Sequence, residues 1–225
     1  HPHRGFETVT YMLEGEMEHR DHMGNVGRLG PGDVQWMKAG SGVIHSEMPK
    51  QDEGRMHGFQ LWLNLPAKEK MTPASYNDLH AASIPRYQLD GVEIKSIAGN
   101  LVVNQMEMKG AVTGLSTDPA YLDVCFDEDQ RLEVAVPEGY TALLYTYSGA
   151  VEIGDSEYTL TKGHMARLSR QGLLSLEASK GSRVLLITGK PIGEPIAHRG
   201  PFVMNTMDEI HQAIRDYSEG RLVSS

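Results

Sequence analysis

The sequence predicts an all-β fold made of two copies of one barrel unit, finished by a C-terminal α-helix. Three observations predict it. Short β-type runs recur between Gly, Pro, Asn and Asp, one strand-and-turn pattern occurs twice, and helical periodicity is confined to the end of the chain.

Residues 8–13, 33–37, 59–65, 141–147 and 183–187 are the clearest strands, rich in β-branched and aromatic side chains and bounded by turn formers. The stretch from Thr8, TVTYMLEGEMEHRDHMGNVGRLGPGDVQWMKAG, parallels the stretch from Thr141, TALLYTYSGAVEIGDSEYTLTKGHMARLSRQG. Each reads as a strand, a Gly turn (Gly15, Gly149), a return strand, a second turn and a further Gly (Gly32, Gly163) before another apolar strand. The polar, Pro-punctuated residues 67–85 are the expected junction, with few apolar anchors to either core. This divides the chain into domains 1–80 and 81–225. Near the end, Thr206-Met-Asp-Glu209 has capping-box spacing, and Ile210, Ala213, Ile214 and Tyr217 fall on one helical face before Gly220. A helix over about residues 206–219 is expected on the second barrel.

With 225 residues, the chain can bury one large core or two modest ones. A formal charge of −9, without a Lys/Arg block, argues against direct nucleic-acid binding. No segment approaches the roughly 18 apolar residues of a membrane span, so a soluble protein is expected. Cys125 is the single cysteine, which excludes an intrachain disulfide; with no secretory signal in view, a reducing cytoplasm is the expected location. The sequence opens inside the motif His1-Pro-His3-Arg4, so an upstream segment completing the first barrel is also expected.

Residues two apart on a strand share a face, so His1 and His3 form one pair of potential metal ligands, and His45 and Glu47 another. Three imidazoles and a carboxylate suit Fe(II), Mn(II), Ni(II), Cu(II) or Zn(II), with positions left for water or substrate. Glu7 shares the parity of His1 and His3 and is a reserve ligand, unless a bulge at Arg4-Gly5 turns it away. His19 and His22, beside Asp21, read as a solvated hairpin tip. His164 reads as structural or solvent-facing, and residues 123–129 as a solvated acidic face lacking the central Gly of an EF-hand loop. Trp36, Met37, Phe59, Leu61 and Trp62 fit either an aromatic pocket or core packing. The twelve Met residues read as adaptable core filler.

The order His-x-His, Glu four residues on, a Gly turn, Pro31-Gly32-Asp33 and Gly42-x-x-His45 resembles the two cupin motifs. The runs HPHRGFETVTY from His1, GPGDVQWMKAGSGVIHSEMP from Gly30, HGFQLWLNLP from His57 and GPFVMNT from Gly200 are similar to the pirin family in particular, and the likeness covers nearly the whole chain. The resemblance implies a bicupin of two jelly-roll barrels, in which only the first holds a metal, usually iron, on His1, His3, His45 and Glu47. It implies either of two functions. One is a quercetin 2,3-dioxygenase-like enzyme that opens a small aromatic, flavonol-like substrate with O2, with Glu47 or Glu7 taking a proton. The other is a metal- or redox-state sensor that acts through a protein partner, as a transcriptional coregulator without turnover. A third reading is a cupin keeping its ligands by descent. The second repeat offers Leu144, Tyr145 and Tyr147 where the first has His-x-His, and no His-x-Glu pair follows Gly163, so no metal is expected there.

Overall fold

A computed structural model describes residues 1–51, 53–154, 158–169 and 172–223. The chain forms two compact units: His1–Ala81 together with Ile192–Ser225, and Ala82–Pro191.

The first unit contains β1 (Pro2–His3), β2 (Phe6–Glu14), β3 (Met17–Asp21), β4 (Val26–Leu29), β5 (Val34–Lys38), β6 (Val43–Pro49), β7 (His57–Asn64), α1 (Ala67–Lys70) and β8 (Ser75–Leu79). Its two antiparallel sheets have the orders β7-β2-β5-β8 and β1-β6-β3-β4. Apart from the β3–β4 hairpin, successive strands from β2 to β7 alternate between the sheets, the wrap of a jelly roll. Gly15 makes the first crossing, at φ +83°, a conformation that a Cβ would strain.

The second unit runs from β9 (Arg86–Leu89) through β10 (Val92–Ala98), β11 (Asn100–Val103), β12 (Met106–Lys109), β13 (Ala120–Phe126) and β14 (Gln130–Ala135). It continues with β15 (Thr141–Ser148), β16 (Ala150–Ile153), β17 (Thr159–Thr161), β18 (Met165–Arg167), β19 (Leu174–Ala178) and β20 (Arg183–Gly189). Its sheet orders, β18-β15-β20-β13-β10-β9 and β12-β11-β14-β19-β16-β17, contain the same wrap. β15 to β20 follow the path of β2 to β7, and β14 takes the place of β1. The repeat is therefore real, but its register is one residue later than the Thr8–Thr141 match. Tyr11 pairs with Val34 and Tyr145 with Met165, so Thr8 corresponds to Ala142. A slip of one exchanges the faces of a strand.

The division between the units falls between Ala81 and Ala82, inside the expected junction of residues 67–85 and one residue from the expected 80/81 boundary. The part of that stretch up to Ala81 is nevertheless anchored to the first unit, because β8 pairs with β5 from Val34↔Leu79 to Lys38↔Ser75. The stretch is polar because β8 is an edge strand. The expected place of the tail is corrected. The tail also folds with the first unit and not the second: β21 (Ala197–Arg199), β22 (Phe202–Met204) and α2 (Met207–Ser218) bury Phe202, Met204, Ile210, Ala213 and Leu222 together against Ile44. Arg4 reaches Asp216 on α2 at 2.7 Å. The capping box forms: Glu209 N–H donates to Thr206 Oγ1 at 3.3 Å, and Thr206 N–H to Glu209 Oε2 at 2.8 Å. The buried stripe is narrower than its periodicity suggests, since Ile214 and Tyr217 are 37% and 45% exposed.

Lys70 joins these parts. Its buried Nζ donates to Gly5 O at 2.7 Å, Asn64 Oδ1 at 2.6 Å and Val203 O at 2.9 Å. Burial pulls its pKa down to about 8, so at neutral pH it remains mostly a cation. Lys70→Met would leave these acceptors unpaired and is expected to cost about 1–3 kcal/mol, measured as a lower urea midpoint at unchanged m-value.

Candidate metal centre

The site begins with a change of strand parity. β1 lies antiparallel to β6, with Pro2↔Ile44 and His3↔Val43, and His45 N–H donates to His1 O at 3.0 Å. His1 therefore stands opposite His45. The chain then turns at Gly5, whose φ of +90° and whose Cβ position, 2.0 Å from Val203 O, admit only glycine. Beyond this corner the even-numbered residues of β2 face the site. The Phe6 ring lies 5.1 Å from that of His3, and Thr10 Oγ1 donates to Glu47 Oε1 at 3.3 Å. Glu7 is turned to the opposite face, where Trp36 Nε1 donates to its carboxylate at 3.0 Å. Burial raises the Glu7 pKa against the opposing effect of that hydrogen bond. The corner at Gly5, where the chain passes from one sheet to the other, rather than a bulge within one strand, thus removes the reserve ligand from the site.

His1, His3 and His45 present ring nitrogens within 4.8 Å of one another. His1 Nε2 lies 2.9 Å from His3 Nε2 and 2.8 Å from His45 Nε2. His3 Nδ1 faces Pro201 O at 3.4 Å, which requires the proton on Nδ1 and leaves Nε2 as a lone pair. Burial lowers the pKa of His3 to about 4 and, with the neighbouring histidines assisting, that of His45 to about 3, so neither ring relieves the crowding by protonation. A single hydrogen on His1 Nε2 serves two acceptors poorly, whereas one cation satisfies all three nitrogens. The spacing fits such an ion: with metal–nitrogen bonds of about 2.0–2.1 Å, ligands at right angles lie about 3.0 Å apart and tetrahedral ones about 3.4 Å. The two Nε2 separations of 2.9 and 2.8 Å lie near these distances, so the three rings could hold one ion.

Glu47 falls in a second group, with His45 and His19. Both its oxygens accept from Gln60 Nε2 at 3.0 Å. The structure thereby corrects the reading of His19 as part of a solvated tip. His19 is fully buried on β3, directly across from Glu47, and Asp21 stands across from His45. His19 Nδ1 lies 3.4 Å from His45 Nδ1, and His19 Nε2 lies 3.4 Å from Asp21 Oδ2. His22 does occupy the turn. The ring of Tyr76 covers His19 at 4.8 Å, and its hydroxyl donates to Asp78 Oδ2 at 2.6 Å.

The even face of β7 is open, with Gln60 exposed and Trp62 40% exposed. Trp62 contacts His3, Phe6 and His198, with ring centroids 5.5, 4.3 and 5.9 Å away. Of the five residues considered for a pocket, Met37 and Trp62 pair with Thr8 on the site face, whereas Trp36 and Leu61 pair with Val9, and Phe59 with Tyr11, on the other. His164 is exposed. In the acidic stretch, Asp127 to Asp129 are exposed, but Asp123 is buried in β13 and accepts from Tyr147 at 2.5 Å.

In the second unit the register assigns apolar residues to every ligand position. Ile153↔Leu176 replaces His19↔Glu47, and Val134↔Leu174 replaces His1 opposite His45. Val136, two residues beyond Val134, takes the place of His3. Val136, Ile153 and Leu174 line an apolar cavity of about 190 Å³. The expectation of ligands lost near Leu144 to Tyr147 pointed to the wrong strand, since those residues correspond to β2.

The depressed histidine pKa values have a consequence for stability. An unfolded chain takes up protons on these rings near 6.5, whereas the folded chain does so only near 4 and 3. Between those limits the unfolded state binds more protons, so stability is complete above the upper limit and falls as pH falls. The urea midpoint of the metal-free protein is expected to decline between about pH 6.5 and 4, and His45→Gln is expected to flatten that decline.

The pirin family model matches residues 1–63, and the model of the pirin C-terminal cupin domain matches residues 121–223. A candidate quercetin 2,3-dioxygenase of Pseudomonas aeruginosa is 50% identical over 224 residues, spanning 99% of this chain and 79% of that protein. The solved quercetin 2,3-dioxygenase of Acinetobacter baumannii is 41% identical with a TM-score of 0.92, over 100% of this chain and 78% of that one. A bacterial pirin from Escherichia coli, solved in complex with nickel(II), shares the fold with a TM-score of 0.64 at 22% identity, over 85% of this chain and 75% of that one. On these matches, which run through both jelly-roll units, the chain is an all-β bicupin and belongs to the pirin family.

Proposed function

We propose that this chain binds one divalent transition metal on His1, His3, His45 and Glu47, and opens the ring of a flavonol-like substrate with molecular oxygen. The observation that carries the reading is the convergence of three imidazole nitrogens, two pairs of them 2.8 and 2.9 Å apart, beside an open aromatic wall. Kinship with a solved quercetin 2,3-dioxygenase supports the substrate class. Iron(II) is the proposed ion; Mn, Ni, Cu and Zn suit the same donors, and the nickel(II) complex of a pirin-fold relative agrees with that breadth. A reducing, cytoplasmic setting suits a ferrous ion and the single free cysteine.

When bound, the metal supplies Lewis acidity toward a substrate hydroxyl and a redox partner for oxygen. The remaining work falls to side chains. Glu47 takes the hydroxyl proton, a role worth about 10²–10⁴-fold for a well-placed carboxylate. Gln60 Nε2–H, which bonds both carboxylate oxygens, keeps Glu47 aimed inward. Phe6 and Trp62 offer ring faces to the flavonol, and the exposure of Trp62 leaves an entrance.

Iron-loaded protein given quercetin without oxygen, and then with it, is expected to bleach the flavonol absorption. Full metal occupancy with an unchanged spectrum would overturn the enzyme and favour a protein-binding sensor. His45→Ala is expected to abolish metal uptake by elemental analysis. At matched occupancy, Glu47→Gln is expected to lower turnover by about 10²–10⁴-fold.

A further inference from the structure

A histidine holds a metal with one ring nitrogen, and the partner of the other nitrogen decides whether the first is free to do so. For His3 that partner is Pro201 O, an acceptor only. For His45 it is His19, a group able to donate or accept, so the pair by itself leaves the tautomer undecided.

We infer that Asp21 and His19 together hold His45 in the tautomer whose Nε2 is a lone pair facing His1 and His3. This is a positioning role, and it rests on the metal reading above. Asp21 is the fixed end. Its Oδ1 accepts from the backbone N–H of Met23 and Asn25, both at 3.0 Å, and its Oδ2 from Asn25 Nδ2 at 2.8 Å. Three N–H donors converge on these two oxygens, the environment of a group that only accepts. A carboxylate only accepts, so His19 must turn a protonated Nε2 toward Oδ2, and a neutral His19 then has a bare Nδ1. That bare Nδ1 faces His45 Nδ1, which must carry the hydrogen. His45 Nε2 is left unprotonated. The reverse order sets a bare His19 nitrogen against the carboxylate and puts a hydrogen on His45 Nε2, where a metal would bind. The side chains of His19 and Asp21 are fully buried, so water does not take over either contact.

The local register makes the arrangement possible. His19 and Asp21 are two apart on β3, and His45 and Glu47 two apart on β6, in direct antiparallel pairs. All four therefore share one face, with His19 diagonal to His45.

The first test needs no metal. Long-range nitrogen–proton correlation NMR on the metal-free, histidine-labelled chain is expected to show hydrogen on His45 Nδ1 and on His19 Nε2. Hydrogen on His45 Nε2 or on His19 Nδ1 would overturn the inference. The second test is nickel(II) titration of the wild type and Asp21→Asn. The asparagine keeps its oxygen on the two backbone donors and presents an amide N–H to His19, which reverses both tautomers, while the Asn25 amide must turn its oxygen toward the new N–H. One ion per chain is expected, bound about 10–100-fold more weakly in the variant, with circular dichroism showing the same fold. Equal affinity would sink the inference, as would two ions per wild-type chain, because His19 and His45 would then share a second metal. A wild type that takes up no nickel, iron or other divalent ion would defeat the metal reading, while the tautomers would still decide this one.

Discussion

A strand offers only every second side chain to a barrel interior, and the candidate metal centre depends on breaking that rule once. Before Gly5 the odd-numbered residues His1 and His3 face the site; after it the even-numbered Phe6, Thr8 and Thr10 do. An unbroken strand would send Glu7 inward and leave Glu47 without Thr10. The corner is held from outside by the tail. Val203 N–H donates to Arg4 O at 3.1 Å, Arg4 pairs with Asp216, and Lys70 joins Gly5 O to Val203 O. The return of the tail, through Val203 and Asp216, thus supports the corner that sets the orientation of His3 against β2.

The two jelly rolls share a wrap and differ in what they enclose. In the first, the interior holds His3, His19, His45 and Gln35, and the hydrophobic clusters described around it, such as Met12–Met17–Leu29 and Met37–Ala39–Val43, are small. In the second, Val134, Leu174 and Leu176 belong to one large cluster that also contains Leu122, Leu144 and Leu186. Buried imidazoles contribute little favourable transfer energy and oppose protonation, whereas a fully buried leucine contributes about 1.5–3 kcal/mol. One copy of the repeat encloses a candidate ligand set and the other a packed apolar core. The shared register makes the exchange explicit, with Ile153, Leu174 and Leu176 at the positions of His19, His45 and Glu47.

Much of this was legible from residue spacing. The strands, the repeat, the helix cap and the convergence of His1, His3 and His45 all follow from periods of two and 3.6 and from turn chemistry. What was hidden has a common cause: a one-residue event that changes parity, or a partner supplied by a distant strand. Leu144 to Tyr147 belong to the counterpart of β2, while the true counterpart of the His-x-His strand was β14, which lies outside the two matched stretches. His19 looked solvated because its neighbours Arg20 and His22 are polar. Its role comes from β6, which lies across from it and 26 residues away at His45. The one available signal was the pair of spacings His19-x-Asp21 and His45-x-Glu47, which become direct partners once β3 and β6 are laid antiparallel. The edge strand β8 and the returning tail carried no such signal, since polar edge residues and a lone amphipathic helix fit either unit.

Two of the proposed ligands, His3 and His45, are supported from behind. His3 is fixed by the tail through Pro201, and His45 is enclosed by β3 through His19. Both are nearly inaccessible, at 2% and 3% exposure. Gln60 and Trp62, on the adjoining open face, are exposed. Rigid support is therefore concentrated behind the metal position, where pre-organised lone pairs reduce the cost of ordering on binding. The exposed contacts of Gln60 and Trp62 lie toward solvent. Entry and departure of a ligand on that side would disturb Trp62 and the Gln60–Glu47 hydrogen bonds first, while the buried pair of imidazoles kept its geometry.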